Sequence, residues 1–302
     1  MGAEAAGIVR CSAISSANDE PLVGTASNVR RWLLLEQPGP WGYNATAANR
    51  LPRALARAIQ ARTEDLGIRL ILLRRPAGRR TARGAHCFFA LTDRGEAWLQ
   101  HVHLEDAAAV LDIDLSPMLD GHAPTAGVAD EEPLFLVCTN GRRDPCCAER
   151  GRPVARALDA AFGARVWECS HIGGDRFAAN VVCFPGGVYF GRVLPDEAVD
   201  IARRFHDGVL DLDHYRGTSR YGFAVQAAEI LARRRTGIDG VRDLPLIEAS
   251  RRGRTVTASF VGPDDTTVTE TVDILQGQTA RRLTCHGRDV HRPPTYVEVP
   301  GR

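Results

Sequence analysis

Lysine is absent: all 38 basic residues of the 302-residue chain are arginines. This excludes a lysine nucleophile or Schiff base anywhere in the chain, and the arginines read as a bias of GC-rich coding. Net charge is nearly absent too. The 37 acidic residues leave a formal charge of +1, so no bulk field draws the chain to nucleic acid or to an anionic membrane. The expected partner is small or proteinaceous. No apolar run reaches the ~20 residues that span a bilayer, and the segment 1–7 has no basic stretch leading into an apolar one. A cytoplasmic location is expected. Also missing are a Cys-x-x-Cys pair and a nicotinamide or flavin fingerprint. Their absence counts against thioredoxin-type dithiol exchange and makes another protein the source of any reducing equivalents.

Hydrophobic residues make up 44% of the chain, ample for a packed core and for two ordinary domains. The eight cysteines are too dilute for a disulfide scaffold. Clustered ones point to metal or redox chemistry, and Cys11, Cys87, Cys183 and Cys285, which stand apart, read as inert core residues.

Hydrophobic periodicity gives strands over 31–36 and 68–73, a helix over 51–63 between them, a hairpin over 85–91 and 97–103, and an Ala-rich helical segment from Glu105. After a Gly/Pro/Ala/Asp-rich linker at 121–130 the same order begins again. Strand 134–137, helix 152–162, strand 165–168, hairpin 180–184 with 188–192, and helix 195–207 follow in turn. The shared order predicts an internal duplication. A further helix spans 221–235. From Leu246 the texture becomes alternating β pattern, a β-rich appendage ending in the extended segment 291–295.

Two segments carry chemistry. In the first, the apolar strand 134–137 delivers Cys138 into a loop containing Gly141, Arg142 and Arg143 that returns with Cys146 and Cys147. In the second, a strand delivers Cys169, His171, Gly173, Gly174, Asp175 and Arg176. Eight residues between Cys138 and Cys147 are wrong for a zinc ribbon and suit a loop wrapped around a larger cluster. Gly173 and Gly174 can bring backbone N–H groups to an anionic centre, whose charge Arg142, Arg143 and Arg176 offset.

Here the sequence resembles the sucrase/ferredoxin-like family. The marks are the C-T-x-G-x-R-D-x-x-C pattern from Cys138 to Cys147, the C-S-H-x-G-G-x-R-F-A-A-N pattern from Cys169 to Asn180, and the Cys11-Ser-Ala, Gly24-Thr-Ala and Gln37-Pro-Gly-Pro-Trp-Gly segments. The resemblance implies a thioredoxin-like fold, which together with the repeated element order gives the expectation of an α/β chain of two tandem thioredoxin-like units with a C-terminal β-rich appendage. The units would span 1–125 and 126–240, the second binding the cluster, and the appendage 241–302. It further implies a [2Fe–2S] cluster, an electron-carrying role and a protein redox partner, a reductase or an acceptor. By position, Cys138, Cys147 and His171 would ligate iron, with Gly141, Arg143, Gly173, Gly174 and Arg176 around them. The family pattern has a second histidine where this chain has Asp175. A carboxylate is a harder, anionic ligand and should lower the potential. Cys146 and Cys169 are alternatives for the fourth position, and Asp175 reads equally as the N-cap of a short helix.

The arginine-rich stretches 74–83 and 233–235 read as solvated faces, and His101 and His103 as surface residues. Two other functions compete: a thioredoxin-like thiol redox protein, and an interaction protein of the same fold without a cluster.

Overall fold

A computed structural model describes residues 9–78, 83–93, 95 and 97–299. The N-terminal segment read above for a leader, the arginines at 79 and 80, and Arg94 and Glu96 of the 92–96 turn lie outside the described residues.

After a short helix α1 (Cys11–Ala17), strand β1 (Arg31–Glu36) leads through helix α2 (Arg53–Asp65) into β2 (Ile68–Arg74), and β3 (Ala85–Thr92) and β4 (Ala97–Leu104) follow as a hairpin. β1 pairs parallel with β2 and antiparallel with β3. The spatial order is therefore β2-β1-β3-β4. A two-residue strand β5 (Val128–Ala129) borders β4. The Ala-rich segment expected as an α-helix forms two 3-10 turns instead, Ala107–Asp112 and Ser116–Asp120. Asp106 caps the first, and the second holds Pro117 and closes on Gly121 at φ 87°, leaving no room for α-helical propagation between them.

The second unit repeats the plan. β6 (Leu134–Cys138), helix α3 (Pro145–Phe162) and β7 (Val166–Cys169) form a parallel crossover. β8 (Val181–Phe184) and β9 (Val188–Phe190) add antiparallel strands in the order β7-β6-β8-β9, followed by α4 (Ala198–His206). This β-α-β-β-β arrangement, with one parallel pair flanked by antiparallel strands, is the thioredoxin-like topology, present twice. The two copies join edge to edge where β2 meets β7 antiparallel, and β10 (Tyr215–Thr218) completes one ten-stranded sheet.

Period-two alternation decides which core each strand feeds. Trp32, Leu34 and Ile71 of the first unit share one cluster with Leu134, Leu136 and Trp167 of the second. Leu33, Leu35 and Leu72 turn to the opposite face, packing with Ile59 of α2. Phe135 and Val137 turn likewise to Val154 and Leu158 of α3.

Helix α5 (Phe223–Thr236) then crosses to a second, antiparallel sheet of β11 (Leu246–Arg252), β12 (Thr255–Val261), β13 (Thr267–Gln276) and β14 (Pro294–Glu298). Alternate residues Val256, Ala258 and Phe260 of β12 pack on Ala228 and Ala232 of α5. The arginine stretches are not uniformly solvated. Arg233 is 1% exposed, bound to Glu229 at 3.0 Å and to the carbonyls of Gly240 and Asp243. Arg74 lies against the buried Glu168 carboxylate. His101 is half-buried, its ring stacked on Phe88, its cross-strand partner, and its Nε2 2.8 Å from Nδ1 of His86, which lies diagonally across on the same face. None of the helices among the described residues is long and apolar enough to cross a membrane.

Candidate functional site

The site forms where β6 ends against the first turn of α3. Helix α3 begins at Pro145, seven residues before the sequence pattern places it, because Asp144 is its N-cap: the Asp144 carboxylate accepts from the Cys146 N–H at 2.9 Å, and Pro145 supplies the first-turn φ. Cys146 and Cys147 therefore sit on a helix and not in a returning loop. The positive end of the helix dipole favours thiolates there. Gly151 lets the helix press onto the strand end, since a Cβ there would overlap the Cys138 carbonyl oxygen.

Beyond β7 the chain turns through Gly173 and Gly174, at φ 97° and 80°, and brings His171 and Asp175 back toward the cysteines. Donor atoms of Cys138, Cys147 and His171 all lie within 4.8 Å of one another. Asp175 Oδ1 accepts from Cys147 Sγ at 3.2 Å and lies 3.0 Å from His171 Nδ1. Asp175 heads a 3-10 turn, Asp175–Phe177, but the N-cap position belongs to Gly174, and no side chain caps the turn. The carboxylate faces the cysteine and the histidine.

These groups polarise one another. Contact with the Cys147 thiol, aided by His171, outweighs burial and brings Cys138 well below the ordinary thiol value, while Cys147 is pushed well up, first by Cys138 and then by burial. Burial opposes the charged form of His171, but Asp175 and Cys138 overcome it and hold its pKa at about 9. Burial works against the Asp175 carboxylate also; His171, Cys147 and Arg143 together keep it below its ordinary value. These shifts favour a thiolate at Cys138, a protonated His171 and an ionised Asp175 while no metal is bound. His171 Nδ1 is buried without an aligned hydrogen-bond partner.

The glycines make room for neighbours. A Cβ on Gly173 would overlap Ser27 Oγ, and one on Gly174 would overlap the guanidinium of Arg216. Arg216 is 1% exposed and donates to Asn180 Oδ1 at 2.7 Å and to the carbonyls of Gly173 and Thr25. This buried cation beneath the loop escapes a sequence reading, because its strand lies 36 residues from its Asn180 partner. Gly141 packs against Ala148 of α3. Arg143 lies over the Tyr43 ring, 4.4 Å from its centre, in the 37–43 loop of the first unit, and Asn140 donates to the Gly42 carbonyl. Arg176 is engaged by Glu20 at 2.8 Å and stacks on Phe177. Cys169 is fully buried on β7 beside Cys138, and Cys146 belongs to a different group, with Cys11 and Cys285.

The sucrase/ferredoxin-like family model matches residues 22–217. Altered inheritance of mitochondria protein 32 from Meyerozyma guilliermondii is 33% identical over 101 residues, which are 30% of this chain and 35% of that protein. The chain thus spans about a third of the length of that curated relative. Among solved structures, a cysteine-to-serine variant of the thioredoxin-like [2Fe–2S] ferredoxin from Aquifex aeolicus matches with 20% identity and a TM-score of 0.25, covering 28% of this chain and 96% of that one.

Proposed function

The chain belongs to the sucrase/ferredoxin-like family, and we propose that it carries electrons on a [2Fe–2S] cluster held by Cys138, Cys147, His171 and Asp175. The convergence of those four side chains at the joint of β6, α3 and the His171 loop is the observation that carries the reading. Two thiols, an imidazole and a carboxylate are all iron ligands. When bound, the cluster supplies one-electron chemistry.

The chain's own residues set its surroundings. Cys138 and Cys147 are each 1% exposed, so the β6 end and α3 keep water and bulky thiols from the sulfurs. Burial at this level disfavours the competing thiol-exchange reading, because a disulfide substrate must reach its attacking thiolate. His171 is the outermost of the four, its side chain 24% exposed against 2% for Asp175. The imidazole edge is therefore the path by which electrons leave, and a protein redox partner docks over it. Arg216 and Arg143 offset the negative charge of two thiolates and a carboxylate, and the N-terminus of α3 adds to them.

Visible spectra of the anaerobically purified protein test the ligand set. Cys138→Ser, Cys147→Ser and His171→Ala should each bleach the protein, whereas Cys183→Ser, whose thiol is buried among apolar residues on β8, should leave its colour. A Cys147→Ser protein with undiminished colour would refute the assignment.

A further inference from the structure

Three cysteines outside that site lie closer to one another than apolar packing requires. Cys11 Sγ is 3.6 Å from Cys146 Sγ, Cys146 Sγ is 3.4 Å from Cys285 Sγ, and Cys285 Sγ is 3.5 Å from Cys11 Sγ. Asp144 Oδ2 stands 3.5 Å from Cys11 Sγ. All three thiols are free. We propose that Cys11, Cys146 and Cys285, with Asp144, form a second metal site for a tetrahedral thiophilic divalent cation of the zinc class, which ties both ends of the chain to the first turn of α3.

The geometry is that of ligands around one ion. Tetrahedral zinc with bonds of about 2.3 Å to sulfur sets its sulfurs about 3.8 Å apart, close to the triangle seen here. Supporting hydrogen bonds orient the donors. Ser12 Oγ donates to Cys146 Sγ at 3.2 Å, and the Cys11 N–H donates to Cys285 Sγ at 3.3 Å. The Cys285 N–H donates to Asp144 Oδ2 at 2.6 Å. Three thiolates and one carboxylate are a soft, anionic set that selects zinc over magnesium or calcium.

The packing around them asks for such a link. Among the described residues the local apolar cluster consists of these three cysteines and Ala178, little buried carbon to join segments 274 residues apart beside the Glu20–Arg281 ion pair. The stretch 277–293 that carries Cys285 has no helix or strand, only an isolated bridge from Arg281 to His291. A metal supplies folding energy to segments that lack a core of their own. The adjacent residues Cys146 and Cys147 then serve two centres, one on each side of the α3 N-terminus.

Zinc and iron analysis of the full chain, purified anaerobically, tests this. The wild type should hold about one zinc per chain. Cys11→Ser and Cys285→Ser should lose zinc while keeping iron and visible colour, and Cys138→Ser should lose iron while keeping zinc. Should the variants misfold, wild-type protein stripped of zinc and titrated with Co²⁺ should develop thiolate-to-cobalt charge transfer and the visible bands of tetrahedral cobalt. Absence of both zinc and the cobalt bands in reduced protein would overturn the proposal. So would a disulfide within the trio in protein kept from air. Loss of iron from Cys11→Ser but not from Cys138→Ser would overturn it too, by moving the iron to this group, and would separately refute the ligands assigned above.

Discussion

At the scale of single residues, Asp175 sets the character of the site. It stands in a His-x-x-x-Asp pair whose side chains approach to 3.0 Å. An anionic oxygen ligand stabilises the oxidised, more positively charged cluster, so the potential should lie below that of a two-histidine site. Asp175→His should therefore raise the midpoint potential, read by a spectroscopic redox titration. An unchanged potential in a protein that keeps its iron would remove Asp175 from the ligand set. Both this residue and His171 were legible in the sequence, because a strand, a glycine pair and two donors fall within one short segment. The direction of the Asp175 side chain was not, since capping and ligation place Asp in the same local pattern and only the folded turn separates them.

Elements decide which residues reach the site. Most of the strands and helices lie where hydrophobic period places them, within a few residues at their ends, as β1, β2 and the β3–β4 hairpin do. The start of α3 was missed because its first turn is polar and carries no apolar period; the Asp144-Pro145 pair is the signal that marks it. The same elements create a pH-sensitive pair. Burial, then Arg75, lowers His86 to about 4, against an ordinary value of 6.5; Glu36 opposes them, and His101 and His103 add to the lowering. Between pH of about 6.5 and about 4 the unfolded chain binds a proton there that the folded protein does not. Stability should thus be at its plateau above the upper value and fall as pH drops through this window. His86→Phe keeps a ring against Trp167 and should shallow the decline in urea unfolding between pH 7 and 4. An equal slope in wild type and variant would locate the acid sensitivity elsewhere.

Across the whole molecule, the duplication places a strand end without a cysteine beside one that carries Cys138. The first unit has Glu36 and Gln37 where the second ends its strand in Cys138 and Thr139, yet its 37–43 loop covers the site through Tyr43 and Gly42. The joint is narrow: β2 and β7 share the pairs Leu73 with Cys169 and Arg74 with Glu168. Arg74 binds Glu168 at 2.7 Å, and Thr139, one residue past Cys138, donates to the same carboxylate at 2.8 Å. Glu168→Ala strands a largely buried arginine and should cost about 3 kcal/mol in urea unfolding; a loss under about 0.5 kcal/mol, the range of an ordinary surface change, would show that the joint does not depend on it. Contacts at this scale were the least legible. Cys285 carries no local pattern and Cys11 only the short Cys-Ser-Ala mark, and only the folded chain shows that their sulfurs meet Cys146.

Iron and acid-labile sulfide content of the anaerobically purified full chain bears most directly on the central claim. The account predicts about two of each per chain. Neither iron nor sulfide, even after reconstitution under reducing conditions, would contradict it.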